Sequence, residues 1–170
     1  MAIISVVHVA FGVLAIVLGW VILCSQKGTA RHRRLGYLYI AAMLGLNATA
    51  LMIYRVFQSF GPFHALALMS LASLVAGWVP AYTRRPRHDW LRRHYEGMCW
   101  SYVGLMAATA AEIVVRLPFV RGFGWGFGVA TGASSFVVVF VGAYLLYRYR
   151  DASLEAFRPP AGSSQPASTE

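Results

Sequence analysis

The sequence predicts an all-α membrane protein: a bundle of five transmembrane helices in which one two-helix unit is duplicated (helices 1–2 and 3–4) and a fifth helix is added. Three observations predict it. The chain is 58% hydrophobic and only 12% charged, with a mean hydropathy of +0.57, whereas a water-facing domain carries about 25% charged residues. Five apolar runs stand at 3–24, 36–54, 62–82, 97–118 and 126–147, each near the ~20 residues that a helix needs to cross a hydrocarbon core. The same landmarks also recur, in order, along the first and second pairs of runs.

Backbone groups in lipid must be satisfied within their own segment, so each run is expected to be helical. The first, "IISVVHVAFGVLAIVLGWVILC", has no basic residue ahead of it, and the first cation of the chain is Lys27. It reads as a retained span rather than a cleaved signal peptide. The run "KGTARHRRLG" (27–36) then packs Lys27, Arg31, His32, Arg33 and Arg34 together. Counted by loop, twelve of the Lys and Arg residues fall on the side of this run and three, Arg55, Arg116 and Arg121, on the other. Positive-inside bias then puts the N-terminus outside and the C-terminus in the cytoplasm. The net charge of +9 is thus a topology signal that also attracts anionic lipid headgroups, and no nucleic-acid partner is expected. Residues 1–150 form the transmembrane domain, and 151–170, "DASLEAFRPPAGSSQPASTE", reads as a disordered cytoplasmic tail. Cys24 and Cys99 fall near the cytoplasmic face, where a disulfide is not expected.

The repeat is visible residue by residue. Helix one has His8 and then Gly19-Trp20; helix three has His64 and then Gly77-Trp78. Basic loops with a histidine follow, Arg31-His32 and Arg93-His94. Helix two carries "GLNATA" and ends at Arg55; helix four carries "GLMAATAA" and ends at Arg116. Both units run in and back out, so the repeat is parallel, with its pseudo-two-fold axis along the membrane normal.

That symmetry sets His8 and His64 near the outer surface and His32 and His94 near the inner one. Imidazole suits haem iron, zinc and copper. Two stacked bis-histidine sites are the ligand arrangement of two-haem cytochromes of the b561 type, so haem b is the first candidate cofactor, with a transition metal such as zinc as the alternative. His8, Gly12, Ala15 and Gly19 form one smooth helical stripe that suits either a flat porphyrin or close helix packing. Glu112 is the one acid deep within a run, and ionisable groups at such depth are costly and usually functional. It can complete a His8/His64/Glu112 metal site or pair with Arg116 at i, i+4, and Asn47 can join by hydrogen bond. The glycine-rich "GFGWGFG" (122–128) matches no phosphate-binding spacing and reads as an interfacial turn. "HYEGMCWSY" (94–102) lacks the spacing of a zinc motif, and His88 reads as a solvated loop histidine.

A histidine opening helix one, then "KGTARHRRLGYLYIAAM", then "RRHYEGMCWSY", resembles the small bacterial membrane proteins of domain of unknown function 2306. The resemblance spans roughly residues 4 to 118, and the Lys-Gly-Thr…His-Arg…Gly run is its most specific part. It implies a bacterial inner-membrane helical protein and brings no reaction, cofactor or catalytic residue with it.

Three functions compete at this level. A haem- or metal-binding redox protein would use His8 and His64 outside and His32 and His94 inside, between a quinol or small reductant and an acceptor. A small-solute or ion transporter component would line a polar path with Asn47, Arg55, Glu112 and Arg116. An accessory or assembly subunit, or a homo-oligomer, would use small-residue stripes such as Gly97, Ser101 and Gly104 to pack on another membrane protein. A hydrolase with a zinc-bound water at His8, His64 and Glu112 is a further option, so enzymatic activity stays open.

Overall fold

A computed structural model describes residues 2–53, 62–121 and 126–155. Its regular structure is helical throughout: α1 (Ala2–Cys24), α2 (Ala30–Leu51), α3 (Pro62–Thr83), α4 (Trp90–Val114), a single turn α5 (Pro118–Arg121) and α6 (Gly126–Glu155). Four of these, α1, α3, α4 and α6, are long and apolar enough to cross a membrane.

The charged run that follows α1 is a helix-to-helix joint. Lys27 folds back so that Nζ donates to the carbonyls of Ile22 (2.6 Å), Leu23 (2.6 Å) and Ser25 (2.8 Å). Ile22 and Leu23 lie in the last turn of α1, where a helix C-terminus leaves carbonyls without intrahelical partners. Gly28 turns the chain in the left-handed region, φ 78°, which glycine adopts without steric cost. Thr29 then accepts from the His32 N–H (3.1 Å) as N-cap of α2. Three consecutive residues therefore close one helix, reverse the chain and open the next.

This joint explains a difference from the predicted spans. The second was expected over 36–54, but α2 begins at Ala30, six residues earlier, with Arg31, Arg33 and Arg34 on its opening turns. Those arginines, with Asn47 further on, keep α2 out of the set of helices apolar enough to span. Similarly α4, expected from 97, begins at Trp90, where Asp89 pairs with Arg93 (3.0 Å) and Arg92 with Glu96 (2.9 Å). At the other end α6 runs to Glu155, so 151–155 are helical where a disordered tail was expected; 156–170 lie outside the described residues.

The helices close a ring. α1 packs on α2, α2 on α3, α3 on α4, and α4 returns to α1; α6 lies outside the ring against α4. The tightest seam is α3–α4, where Gly77 meets Gly97. A Cβ at Gly77 would lie 2.6 Å from the backbone nitrogen of Met98, and one at Gly97 would fall on the backbone of Ala76 and Gly77. Only glycine allows this approach. On the far side of α4, Gly142 of α6 leaves room for the Val103 side chain.

The core is small: Ala15, Tyr39, Ala42, Met43, Leu74 and Leu105. Outside it, Val6, Trp20, Met69, Phe136 and Phe140 are each more than 60% exposed. A soluble monomer rarely leaves contiguous apolar surface on this scale; a bilayer covers it.

One polar contact crosses the core between the diagonal helices. The Ser101 hydroxyl donates to the Met98 carbonyl (2.8 Å), so the Tyr39 hydroxyl donates to Ser101 Oγ (3.1 Å). Tyr39→Phe removes a donor and leaves Ser101 satisfied, at an expected cost of about 1 kcal/mol. Ser101→Ala strands a buried phenol, for about 1–3 kcal/mol. Thermal unfolding in detergent should rank Ser101→Ala as the more damaging of the two.

Candidate functional site

At the basic end of the ring, α2 and α4 face each other diagonally, and the rings of His32 and His94 meet edge to face with centroids 6.3 Å apart. His94 reaches across the Gly77/Gly97 contact, and its Nδ1 lies 2.9 Å from the Gly77 carbonyl. A carbonyl only accepts, so Nδ1 carries the proton and Nε2 presents its lone pair. This is the anchoring that orients histidines as metal ligands and sets their tautomer. His32 stands on the opening turn of α2, ahead of the apolar stretch, and its Nδ1 is buried without a hydrogen-bond partner. Burial, with His94 and Lys27 nearby, lowers its pKa from the ordinary 6.5, which favours the neutral, electron-donating imidazole at pH 7. A Cβ at Gly36, one turn further along α2, would meet nothing within 4 Å.

At the opposite end, His8 on α1 bonds through Nδ1 to Thr49 Oγ1 on α2 (3.0 Å). Thr49 spends its hydroxyl proton on the carbonyls of Gly45 (2.8 Å) and Leu46 (2.9 Å). Toward His8 it can only accept, so His8 also holds its proton on Nδ1 and leaves Nε2 bare. Beside it Glu112 and Arg116 form a close ion pair, the i, i+4 alternative anticipated from sequence. Asn47 is buried, with Nδ2 donating to the Met43 carbonyl (2.8 Å) and to Ser70 Oγ of α3 (3.3 Å).

His8, Asn47, Glu112 and Arg116 line a single cavity of about 550 Å³. Three of the four residues expected to form a polar path thus share one space. The fourth, Arg55, lies outside the described residues, as does 122–125 of the glycine-rich turn. His64 is buried on α3, 3% exposed. Among the described residues no three His, Cys, Asp or Glu side chains are grouped as a metal would require, so His8, His64 and Glu112 are not assembled into one ligand set here. Cys24 and Cys99 are both free thiols, and His88 is exposed. Thr49 as the anchor of His8, and the Gly77 carbonyl as that of His94, were beyond sequence reasoning. The only hint of the first was a threonine in the repeated "GLNATA" stretch.

The family model described as "Predicted membrane protein (DUF2306)" matches residues 5–149. No curated protein and no solved structure matches the chain.

Proposed function

The chain belongs to the DUF2306 family of predicted membrane proteins, and within it we propose a redox role, with His32 and His94 holding haem iron or a transition-metal ion at the cytoplasmic end of the bundle. The observation that carries this reading is the 6.3 Å separation of the two rings. A metal-bound imidazole nitrogen lies about 2.0–2.1 Å from the ion, so rings ligating opposite sides of one metal have centres roughly 6 Å apart; from the edge-to-face arrangement seen here, one ring must turn for both in-plane lone pairs to address the same ion. The residues fit such a group in two further ways. The anchored His94 offers a fixed Nε2, and the buried Nδ1 of His32 has no protein partner.

When bound there, the metal would supply one-electron chemistry. The chain's own part is to hold both imidazoles neutral and aligned, to keep one proton on His94 Nδ1 through the Gly77 carbonyl, and to shield the site with α3 and α4. Two contacts between α2 and α4, His32–His94 and Tyr39–Ser101, join residues 62 positions apart in the chain. That constant offset supports the duplicated unit. We read α2 as crossing the membrane alongside α4, for five spans in the inner membrane, and the excess of Lys and Arg on the side of the 27–36 run argues for the N-terminus outside. The reading needs one site only; His8 and His64 are not required by it.

The test is a reduced-minus-oxidised visible spectrum of the full chain in mild detergent, with metal analysis of the same sample. Sharp α and β bands, or stoichiometric copper or iron, are expected. A colourless protein without iron or copper would sink the proposal. A second reading, a small-solute or ion conductor, draws on Asn47, Glu112 and Arg116 lining one cavity. Solute flux in proteoliposomes of a metal-free protein would favour it.

A further inference from the structure

The cavity beside His8 has a shape and polarity that select a ligand. Along α4 it extends from Trp100 to Ile113, thirteen residues on or roughly 20 Å of helix, and its walls come from α1, α2, α3, α4 and α6. A space this long and mostly apolar suits a tailed amphiphile, in keeping with ligand cavities of about 300–1,000 Å³. The polar groups cluster at one end, near the start of α1 and the end of α4.

Most of the wall hydroxyls are spent. Ser73 donates to the Met69 carbonyl (3.0 Å), Thr109 to that of Leu105 (2.8 Å) and Ser135 to that of Ala107 (3.3 Å). The charges at the mouth, Glu112 and Arg116, neutralise each other, so among the described residues no unpaired cation calls for a carboxylate or phosphate headgroup. At the head end His8 Nε2 is an acceptor left bare because Nδ1 is committed to Thr49; Asn47, Ser70 and Trp100 add further polar groups to the lining. The complementary ligand is therefore neutral, apolar along most of its length, and carries a hydroxyl donor on its head.

We propose that this cavity binds a lipid-soluble hydroquinone, its ring hydroxyl donating to His8 Nε2 and its tail running along α4 toward Trp100. The choice of a hydroquinone among neutral hydroxylated amphiphiles rests on the redox reading above; the cavity and its polarity do not. Trp100 is six residues from His94 on the same helix, about 9 Å of rise, whereas Glu112 at the head end is eighteen residues away, roughly 27 Å, so the tail and not the ring lies on the side of the inner histidine pair.

Decylubiquinol titrated into the full chain in mild detergent, followed by tryptophan fluorescence and calorimetry, is expected to bind saturably, one per chain. Gly104 lines the cavity, and a Cβ there would meet nothing within 4 Å, so Gly104→Leu should fold and fill the space. It is expected to weaken binding at least tenfold, and His8→Leu about tenfold through the lost hydrogen bond. Ala108→Leu, from the same wall, serves if Gly104→Leu proves unstable. No saturable binding, or binding unchanged in the filled variants, overturns the proposal. So does displacement of decylubiquinol by equimolar oleate or phosphatidylethanolamine, which would make the cavity a lipid site. Metal analysis of each sample separates the two readings. Metal-free protein that binds decylubiquinol sinks the inner redox site alone, and metal-loaded protein that does not bind it sinks the cavity assignment alone.

Discussion

Gly97→Leu should collapse the bundle. A side chain there would have to occupy space held by the backbone of Ala76 and Gly77, and backbone yields far less readily than a flexible side chain. Overpacking a well-filled interior costs about 1–3 kcal/mol where side chains can shift; here α3 and α4 must separate, so the upper end or beyond is expected. At about 2–4 °C per kcal/mol for a chain of this size, the melting midpoint in detergent should fall by roughly 6–12 °C, with loss of a monodisperse peak. Gly36→Ala is the control, because a Cβ there meets nothing within 4 Å. A Gly97→Leu protein that melts within about 2 °C of the parent would show that the α3–α4 contact is looser than described.

The second large effect is expected at His94. If His94 holds the proposed metal, His94→Ala removes a ligand and also strips the Gly77 carbonyl of its donor, so bound iron or copper should drop from about one per chain to below about a tenth, since even orienting partners of a ligand are worth 10–100-fold in affinity. His32→Ala should give the same loss without disturbing Gly77, which separates ligation from packing. His88→Ala, on an exposed loop residue, should leave metal content and spectrum unchanged. If His94→Ala and His32→Ala both retain the metal, the inner pair is not the ligand set.

The legible part of this fold is the part set by solvent. Long apolar runs marked where the long helices lie, and the meeting of His32 with His94 followed from counting equivalent positions. Helix starts were less legible for the same reason. Apolar counting finds the edge of the hydrocarbon, whereas α2 begins where Thr29 can cap it and α4 just past Asp89, both in polar sequence. The ion pair of Glu112 with Arg116 could be read from their spacing. The cavity could not, because it depends on which seams close and which do not. Gly77 and Gly97 looked like two small residues among many, and only their juxtaposition shows that they meet backbone to backbone. The anchors of His8 and His94 were equally hidden, since one is a hydroxyl on a neighbouring helix and the other is a main-chain carbonyl.

The ring of four helices is closed unevenly. One seam, α3–α4, is backbone-tight, and α4 is held from behind by α6, whereas α1 meets α4 along the loosest seam of the ring. The cavity lies along that loose seam, and the surrounding faces of α1 and α6 are apolar and exposed. A tailed occupant of the proposed site would therefore come and go sideways, through the leaflet, without passing through water. Its working concentration is its mole fraction in the membrane, so two ligands with identical contacts would differ in apparent affinity by their partition coefficients. Occupancy measured in detergent would then scale with the ratio of ligand to micelle, not with the molarity in the cuvette.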